Sequence, residues 1–338
     1  MKTASSSVLS RVVSAAGRGF RRVAAGFLSR AVPFAAAAAG DPAPPRPLRV
    51  VATIFPAWDW TREVLGADAA GVELSALEWN GVDMHSFRPS AGDLQKIARC
   101  DLFVYVGGES DGWVAPALAA VPNPRRRSLS LVEALGGAAK AETLVEGMQA
   151  EPGEEGGGDA PPDEHVWLSL RVAGTLVDAI AEALSGLDPS RADAWRANAA
   201  AYRAKLAALD AEYSAAVAAA PRKTLVVADR FPLRYLADDY GLGFYAAFPG
   251  CSAETEASFK TVVFLAGKAD SLGARSLLVL EGSDRRLAET VRAATKAKNQ
   301  SVAVFESLQS VTAAQVSAGE TYLGAMRRNL AALSEALR

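Results

Sequence analysis

The sequence predicts an α/β protein of two similar lobes, each a roughly four-stranded, mostly parallel sheet flanked by helices, joined by one long helix. Three observations predict this fold. Beyond residue 47, short β-rich apolar runs alternate with amphipathic stretches. The apolar runs fall into two sets of about four. Between the two sets lies a stretch of about 30 residues without glycine, which is typical of a long helix.

The first 46 residues are predicted to be a signal peptide or disordered leader. Residues 2–30 are basic and contain no acid, Ala31 to Ala39 is a short apolar run, and small residues and prolines follow. This order is typical of an export signal, with an unstructured alanine- and arginine-rich tail as the alternative. It predicts an extracytoplasmic location, in the periplasm or at the cell surface. No apolar run reaches the about 20 residues that a membrane span needs.

The first lobe is predicted to cover residues 47–188. Residues 147–164 are rich in glycine, proline and acids, so we expect a mobile surface loop there. The periodicity of apolar residues predicts a helix at 57–65 and strands at 48–54, 72–77, 101–106 and 128–131.

The linking helix is predicted at residues 189–220 and the second lobe at 221–338. Pro189 follows Asp188 in the order typical of a helix start, and apolar residues then recur every three or four positions. Such a helix is about 45 Å long, enough to run along both lobes. In the second lobe we predict a helix at 259–272 and strands at 224–229, 243–248, 276–281 and 301–306.

The composition excludes two classes of site. The formal net charge is −2, so the chain lacks the basic excess that a nucleic-acid partner requires. Two cysteines, Cys100 and Cys251, are too few for a disulfide scaffold or a thiolate zinc site. Spacing alone leaves open whether they pair with each other. We interpret Cys251 as a structural residue rather than a metal ligand.

Both histidines of the chain lie in predicted loops beside acids. His85 follows the second predicted strand in the stretch Asp83-Met-His85, and His165 follows the acidic loop in Asp163-Glu-His165. Imidazole is the commonest metal ligand among side chains, and neighbouring carboxylates can orient it. We therefore predict that both histidines bind a metal ion, with ordinary surface or capping roles as the alternative.

Three carboxylates end predicted strands of the second lobe, namely Asp229, Glu281 and Glu306. The carboxyl ends of parallel strands share one edge of a sheet, where open α/β sheets bind ligands. Each acid alone would suit a helix cap equally well. Three acids that converge on one crevice repel one another unless a cation or a proton is shared. Their common position therefore favours a cation site.

With these residues, the sequence resembles the metal-binding solute-binding proteins of bacterial ABC importers for zinc and manganese. The resemblance covers nearly all of residues 48–335, and its most specific motifs are Asp83-Met-His85 and His165-Val-Trp-Leu-Ser169. Further matching stretches lie at 51–56, 101–107, 227–231, 240–242, 248–258 and 321–330.

The resemblance implies a monomeric binding protein, not an enzyme, that captures one Zn²⁺ or Mn²⁺ ion between its lobes and delivers it to the membrane subunits of an ABC permease. The implied ligands, two from each lobe, are His85, His165, Asp229 and Glu306. Glu281 is the alternative to Glu306, and Asp83 is either an extra ligand or a group that orients His85.

Two other functions remain as alternatives. A zinc-dependent metallohydrolase would use the same ion but keep an open coordination position for water. A two-lobed receptor for a small organic solute would need a roomy cleft with aromatic or arginine anchors. Four converging ligands close the coordination sphere and favour a binding protein. Nitrogen and oxygen ligands suit both zinc and manganese, so the choice of metal stays open.

Overall fold

The predicted strands are all present in the structure, and they pair in parallel within two four-stranded sheets. The computed structural model describes residues 46–77, 81–149, 161–252 and 256–338. Residues 1–45 of the predicted signal peptide or disordered leader and residues 150–160 of the predicted mobile loop lie outside these ranges. The predicted fold class, two parallel α/β lobes with a long connecting helix, is confirmed.

The first lobe has helices on both faces of its sheet. Alternate residues of its first strand point into different apolar clusters: Val50 packs in the larger cluster and Val51 in a smaller one on the opposite face. Its elements are β1 (Leu48–Ala52), α1 (Phe55–Leu65), β2 (Val72–Ala76), α2 (Ala91–Arg99), β3 (Leu102–Tyr105), α3 (Val114–Ala120), β4 (Arg127–Ser130), α4 (Leu131–Leu135) and α5 (Leu170–Ser185).

The second lobe repeats this arrangement. The elements from the linking helix onward are α6 (Ala192–Ala219), β5 (Thr224–Phe231), α7 (Arg234–Tyr240), β6 (Gly243–Pro249), α8 (Phe259–Leu272), β7 (Ser276–Leu280), α9 (Arg286–Ala294), β8 (Ser301–Phe305), α10 (Ala313–Ser317) and α11 (Tyr322–Ala336). The strand order is β2-β1-β3-β4 in the first sheet and β6-β5-β7-β8 in the second. The second strand of each lobe therefore occupies the same edge, and the loops after β2 and β6 are counterparts.

Short polar residues set the helix boundaries. Ser90 and Asp93 form a reciprocal capping box at the start of α2, and the Ser169 and Ser258 hydroxyls accept backbone hydrogen bonds at the starts of α5 and α8. Helix α8 ends at Gly273, which adopts the left-handed conformation that glycine accommodates without strain. These local signals fix the helices that carry the site loops.

The linking helix α6 is 28 residues long and buries one apolar stripe. Asp188 caps the short 3-10 turn Pro189–Arg191 that leads into it, as its sequence predicts. The buried stripe runs from Trp195 to Val217, while the remaining positions are mostly exposed. In the described part of the chain, no helix combines the length and apolar character required to cross a membrane.

The two lobes share a continuous apolar core. One cluster of buried residues includes Val50 of the first sheet, Leu225 of the second sheet and Trp195 of the linking helix. Buried hydrogen bonds also cross between the lobes: the Trp167 indole donates to the Ser307 carbonyl at 2.7 Å. This shared core favours a stiff connection over a free hinge.

Candidate metal centre

His85 is held by the acid two residues before it. It lies in a 3-10 turn after β2, Met84–Ser86, whose N-cap is Asp83. The Asp83 Oδ1 accepts from the His85 backbone N at 3.0 Å and contacts the ring Nδ1 at 2.6 Å. With Nδ1 bound to a carboxylate, Nε2 is the nitrogen left to coordinate a metal.

His165 repeats this arrangement. The Asp163 Oδ1 accepts from the His165 backbone N at 2.8 Å and contacts the ring Nδ1 at 2.9 Å. The His165 side chain is fully buried, and its ring centroid lies 5.4 Å from that of His85. The Asp-X-His spacing therefore creates the same oriented imidazole twice, and the fold brings the two together.

Cys251 lies close to the two histidines. It follows β6, and its Sγ lies within a group of three potential ligand atoms, one each from His85, His165 and Cys251, that are all within 4.8 Å of one another. Burial raises the pKa of the Cys251 thiol, and the nearby carboxylates of Glu164 and Glu142 raise it further. Sequence reasoning assigned Cys251 a structural role. The signal that could have found it is its place after β6, the counterpart of the strand that precedes His85.

The two cysteines of the chain are both free thiols. Cys100 is buried in the first lobe, in the smaller apolar cluster, and its Sγ donates to the Ile97 carbonyl at 3.2 Å. The disulfide left open by the sequence is thus not formed in the structure.

Glu164 is a buried acid beside this cluster. Its Oε1 lies 3.3 Å from the His85 Nε2 and 3.4 Å from the Cys251 Sγ. The Ser110 backbone N donates to its Oε2 at 3.1 Å, and the Ser110 hydroxyl donates to its Oε1. Asp163 and Glu164 belong to the stretch predicted as a mobile surface loop, yet the structure buries both almost completely.

The pKa values of His85 and Asp83 are shifted by their charged neighbours. Burial opposes a charged His85, but the nearby carboxylates of Asp83 and Glu164 outweigh it and raise the pKa of His85 to about 9. Burial likewise opposes a charged Asp83, and its contacts with His85 and Arg230 nevertheless hold the pKa of that carboxyl well below its usual range.

Asp83 is bound on both carboxylate oxygens. Its Oδ2 accepts from the Arg230 Nη2 of the second lobe at 2.6 Å. With its oxygen facing His165, the Gln309 amide accepts from the His165 Nε2 at 2.7 Å and donates to the Asp83 Oδ2 at 3.0 Å. These contacts place Asp83 as the group that orients His85, one of the two roles expected from the sequence.

The predicted strand-end acids separate into two groups. Asp229 and Glu281 line the same cavity as His85 and Cys251, about 720 Å³ in volume. Asp229 accepts from the backbone N of Arg230 at 2.8 Å and of Leu280 at 3.1 Å. Both oxygens of Glu281 accept from Ser307, each at 2.6 Å.

Glu306 lies elsewhere. Its carboxylate forms two hydrogen bonds with the Arg328 guanidinium, at 2.5 and 2.7 Å, and it lines a second cavity of about 360 Å³, which shares Glu281 with the first. The Asn329 amide of α11 also accepts from the Glu306 backbone N at 2.7 Å. The structure therefore does not bring Glu306 to the histidines, because α11 holds the end of β8.

Comparison with known proteins connects this arrangement with metal uptake. The family described as "ZnuA: Zinc-uptake complex component A periplasmic" matches residues 50–336. The chain is 30% identical over 292 residues to the zinc-binding protein AdcA of Streptococcus pyogenes, covering 85% of this chain and 55% of that protein. It is 28% identical over 295 residues to the high-affinity zinc uptake system protein ZnuA of Bacillus subtilis, covering 86% and 88%. The chain spans about half the length of the AdcA proteins it matches.

Solved structures agree on the fold. The Zn(II)-bound ZnuA-like domain of Streptococcus pneumoniae AdcA aligns with a TM-score of 0.67 at 28% identity, covering 86% of this chain and 99% of that domain. The Mn-bound periplasmic metal-binding protein of Candidatus Liberibacter asiaticus aligns with a TM-score of 0.70 at 20% identity, covering 86% and 100%, a likeness of fold alone.

Proposed function

Because the chain belongs to the family of periplasmic component A of zinc-uptake complexes, we propose that it is the extracytoplasmic binding protein of an ABC importer and captures one Zn²⁺ ion between its lobes. This family consists of transport components and not of enzymes, as the sequence predicts. The protein then delivers the ion, as a monomer, to the membrane subunits of the permease. We further propose that the N-terminal segment, interpreted from its sequence as an export signal, directs the protein out of the cytoplasm.

The observation that carries this proposal is the cluster of His85, His165 and Cys251, whose ligand atoms all lie within 4.8 Å of one another. Two imidazoles, each oriented by a carboxylate, and one thiol are ligands that suit zinc. The histidines come from the first lobe and the cysteine from the second. An ion bound by all three ties the lobes together.

The thiol favours zinc over manganese. Thiolate ligands select Zn²⁺, whereas Mn²⁺ prefers carboxylate, carbonyl and water oxygens. Asp229, predicted as a ligand, and Glu281 lie in the wall of the same cavity. We propose that they attract the cation by their charge, while Glu306 has no part in the site because Arg328 neutralises it.

Binding is proposed to bias a small movement between the lobes that the permease recognises. A ligand shifts a conformational equilibrium only by the difference between its affinities for the two states. The continuous core beneath both lobes limits the amplitude, so the change is confined to the loops that hold the ion.

Competition titrations with a zinc chelator test the proposal. His85→Ala, His165→Ala and Cys251→Ser should each lose most of the zinc affinity while remaining folded, and Cys251→Ser should also lose preference for zinc over manganese. Cys100→Ser is the matched control, because it removes the other thiol of the chain and lies outside the cluster. Wild-type affinity in all three variants would refute the site, and a wild-type metal preference in Cys251→Ser would refute the role of the thiol.

A further inference from the structure

The acid immediately before His165 occupies an unusual position. Glu164 is buried, and one of its oxygens faces both the His85 Nε2 and the Cys251 Sγ. We infer that Glu164 supplies the fourth zinc ligand, an inference that rests on the proposed function. The first lobe would then provide three ligands, and the second lobe would provide only Cys251.

The distances match the edges of a zinc tetrahedron. With bonds of about 2.0 Å to nitrogen, 2.1 Å to oxygen and 2.3 Å to sulfur, tetrahedral zinc has N···O edges of about 3.4 Å and S···O edges of about 3.6 Å. The Glu164 Oε1 lies 3.3 Å from the His85 Nε2 and 3.4 Å from the Cys251 Sγ. Two of the three edges among these atoms therefore already match those of a zinc tetrahedron.

The His85 Nε2 points to the same place. It is buried and has no hydrogen-bond partner in the described structure, because the Glu164 oxygen, although near, is not aligned with it. A buried nitrogen without a hydrogen-bond partner requires an explanation, and a cation bound between the His85 Nε2 and the Glu164 Oε1 provides one.

The carboxylate is also held in place by the chain around it. The Ser110 backbone N donates to Oε2, and the Ser110 hydroxyl donates to Oε1, the oxygen that also faces the cluster. Gly108 allows this close approach: it has a φ of +82°, and a Cβ at that position would lie 2.5 Å from the Glu164 Oε2. Oriented carboxylates of this kind are typical of metal ligands supported by a second layer of contacts.

Charge favours Glu164 over the Gln309 side-chain oxygen as the fourth zinc ligand. Zn²⁺ with two neutral imidazoles, a thiolate and a carboxylate forms a neutral group, which a buried site requires. The Gln309 oxygen is the competitor, but it is neutral and lies 2.7 Å from the His165 Nε2. That separation is a hydrogen bond and is shorter than a tetrahedral edge of about 3.4 Å.

Cobalt substitution tests the assignment on the full protein. In wild type, Co²⁺ should give the intense ligand-field bands of a tetrahedral site together with a thiolate-to-cobalt charge-transfer band. Glu164→Ala and the isosteric Glu164→Gln should shift the ligand-field bands, retain the thiolate band, and lower zinc affinity by more than about 100-fold, beyond the usual effect of losing an outer contact. Acetate added to Glu164→Ala should restore the wild-type bands, because it replaces the missing carboxylate.

Glu109→Gln is the matched control, since Glu109 is an exposed acid that lines the same cavity. It should leave the bands and the affinity unchanged. Unshifted bands in both Glu164 variants would overturn the inference, even if affinity falls, and so would the absence of any acetate effect. A wild-type protein that binds no metal, or binds cobalt without a thiolate band, would instead overturn the proposed function.

Discussion

A single methyl group at Gly250 should weaken zinc binding without unfolding the protein. Gly250 precedes Cys251 and lies against the His165 ring. A Cβ at this position would lie 3.0 Å from the His165 Cε1, 3.2 Å from its Nδ1 and 3.0 Å from the Phe231 carbonyl oxygen. Carbon atoms normally approach to about 3.5–4.0 Å, so the ring or the loop must move by about half an ångström.

The size of the effect follows from how firmly His165 is held. The ring is fully buried, and its Nδ1 is bound to Asp163 at 2.9 Å. Zinc sites tolerate changes in ligand distance of only about 0.2 Å. Overpacking by one methyl group costs about 1–3 kcal/mol. If about 2 kcal/mol of this strain opposes the geometry that zinc requires, affinity falls roughly 30-fold.

The measurement is a zinc competition titration of Gly250→Ala, with thermal unfolding in chelator as the test of folding. Gly267→Ala is the matched control, because its Cβ on α8 meets nothing within 4 Å. The control should bind zinc normally and gain up to about 1 kcal/mol in unfolding free energy. Equal affinity in Gly250→Ala and wild type would show that the loop after β6 does not fix His165, and the reasoning would be refuted.

Three further predictions follow from other contacts. Arg230→Gln removes the guanidinium that binds Asp83 at 2.6 Å, so zinc affinity should fall by about tenfold in a competition titration. Arg234→Gln is the control: it loses an ion pair within the second lobe and should leave zinc affinity unchanged. Deleting residues 150–160, which contain no histidine or cysteine, should leave zinc affinity within a few-fold; a loss of 100-fold or more would show that the segment supplies a ligand. Burial raises the pKa of Asp59 to about 6 from its ordinary value of 3.8, so the folded state binds this proton more tightly than the unfolded chain. Stability from this group is therefore lost as pH rises from about 4 through 6. Relative to wild type, Asp59→Asn should be more stable at pH 7 than at pH 4, by at most about 3 kcal/mol, in urea unfolding at these two pH values. An equal difference from wild type at pH 4 and pH 7 would contradict the prediction.

The fold could be predicted because each strand is a short apolar run between turn residues. β7, for example, is Ser276–Leu280, within the predicted 276–281. The linking helix could be predicted equally well, since its buried residues recur at helical spacing from Trp195 onward. Local sequence patterns carry this information because parallel strands and amphipathic helices bury regular subsets of their residues.

The site could be predicted only in part, because its members are chosen by contacts between distant segments. The histidines were recognisable from the acids two residues before them. Glu306 was indistinguishable in sequence from Asp229, and only the position of Arg328 on α11 separates their environments. Cys251 has no acid two residues before it, and its place beside His85 arises from the matching positions of β2 and β6 in the two sheets.

The last helix of the chain completes the core of the first lobe, and this has a consequence for how the protein folds. The Tyr322 backbone N at the start of α11 donates to the Asp59 Oδ2 of α1 at 3.0 Å, and the Tyr322 and Trp60 rings pack edge to face, 5.1 Å between centroids. The core of the first lobe therefore closes only when α1 meets α11, across a sequence separation of 263 residues. Contacts between residues so far apart in sequence slow folding, because the entropy of closing a long loop is lost first.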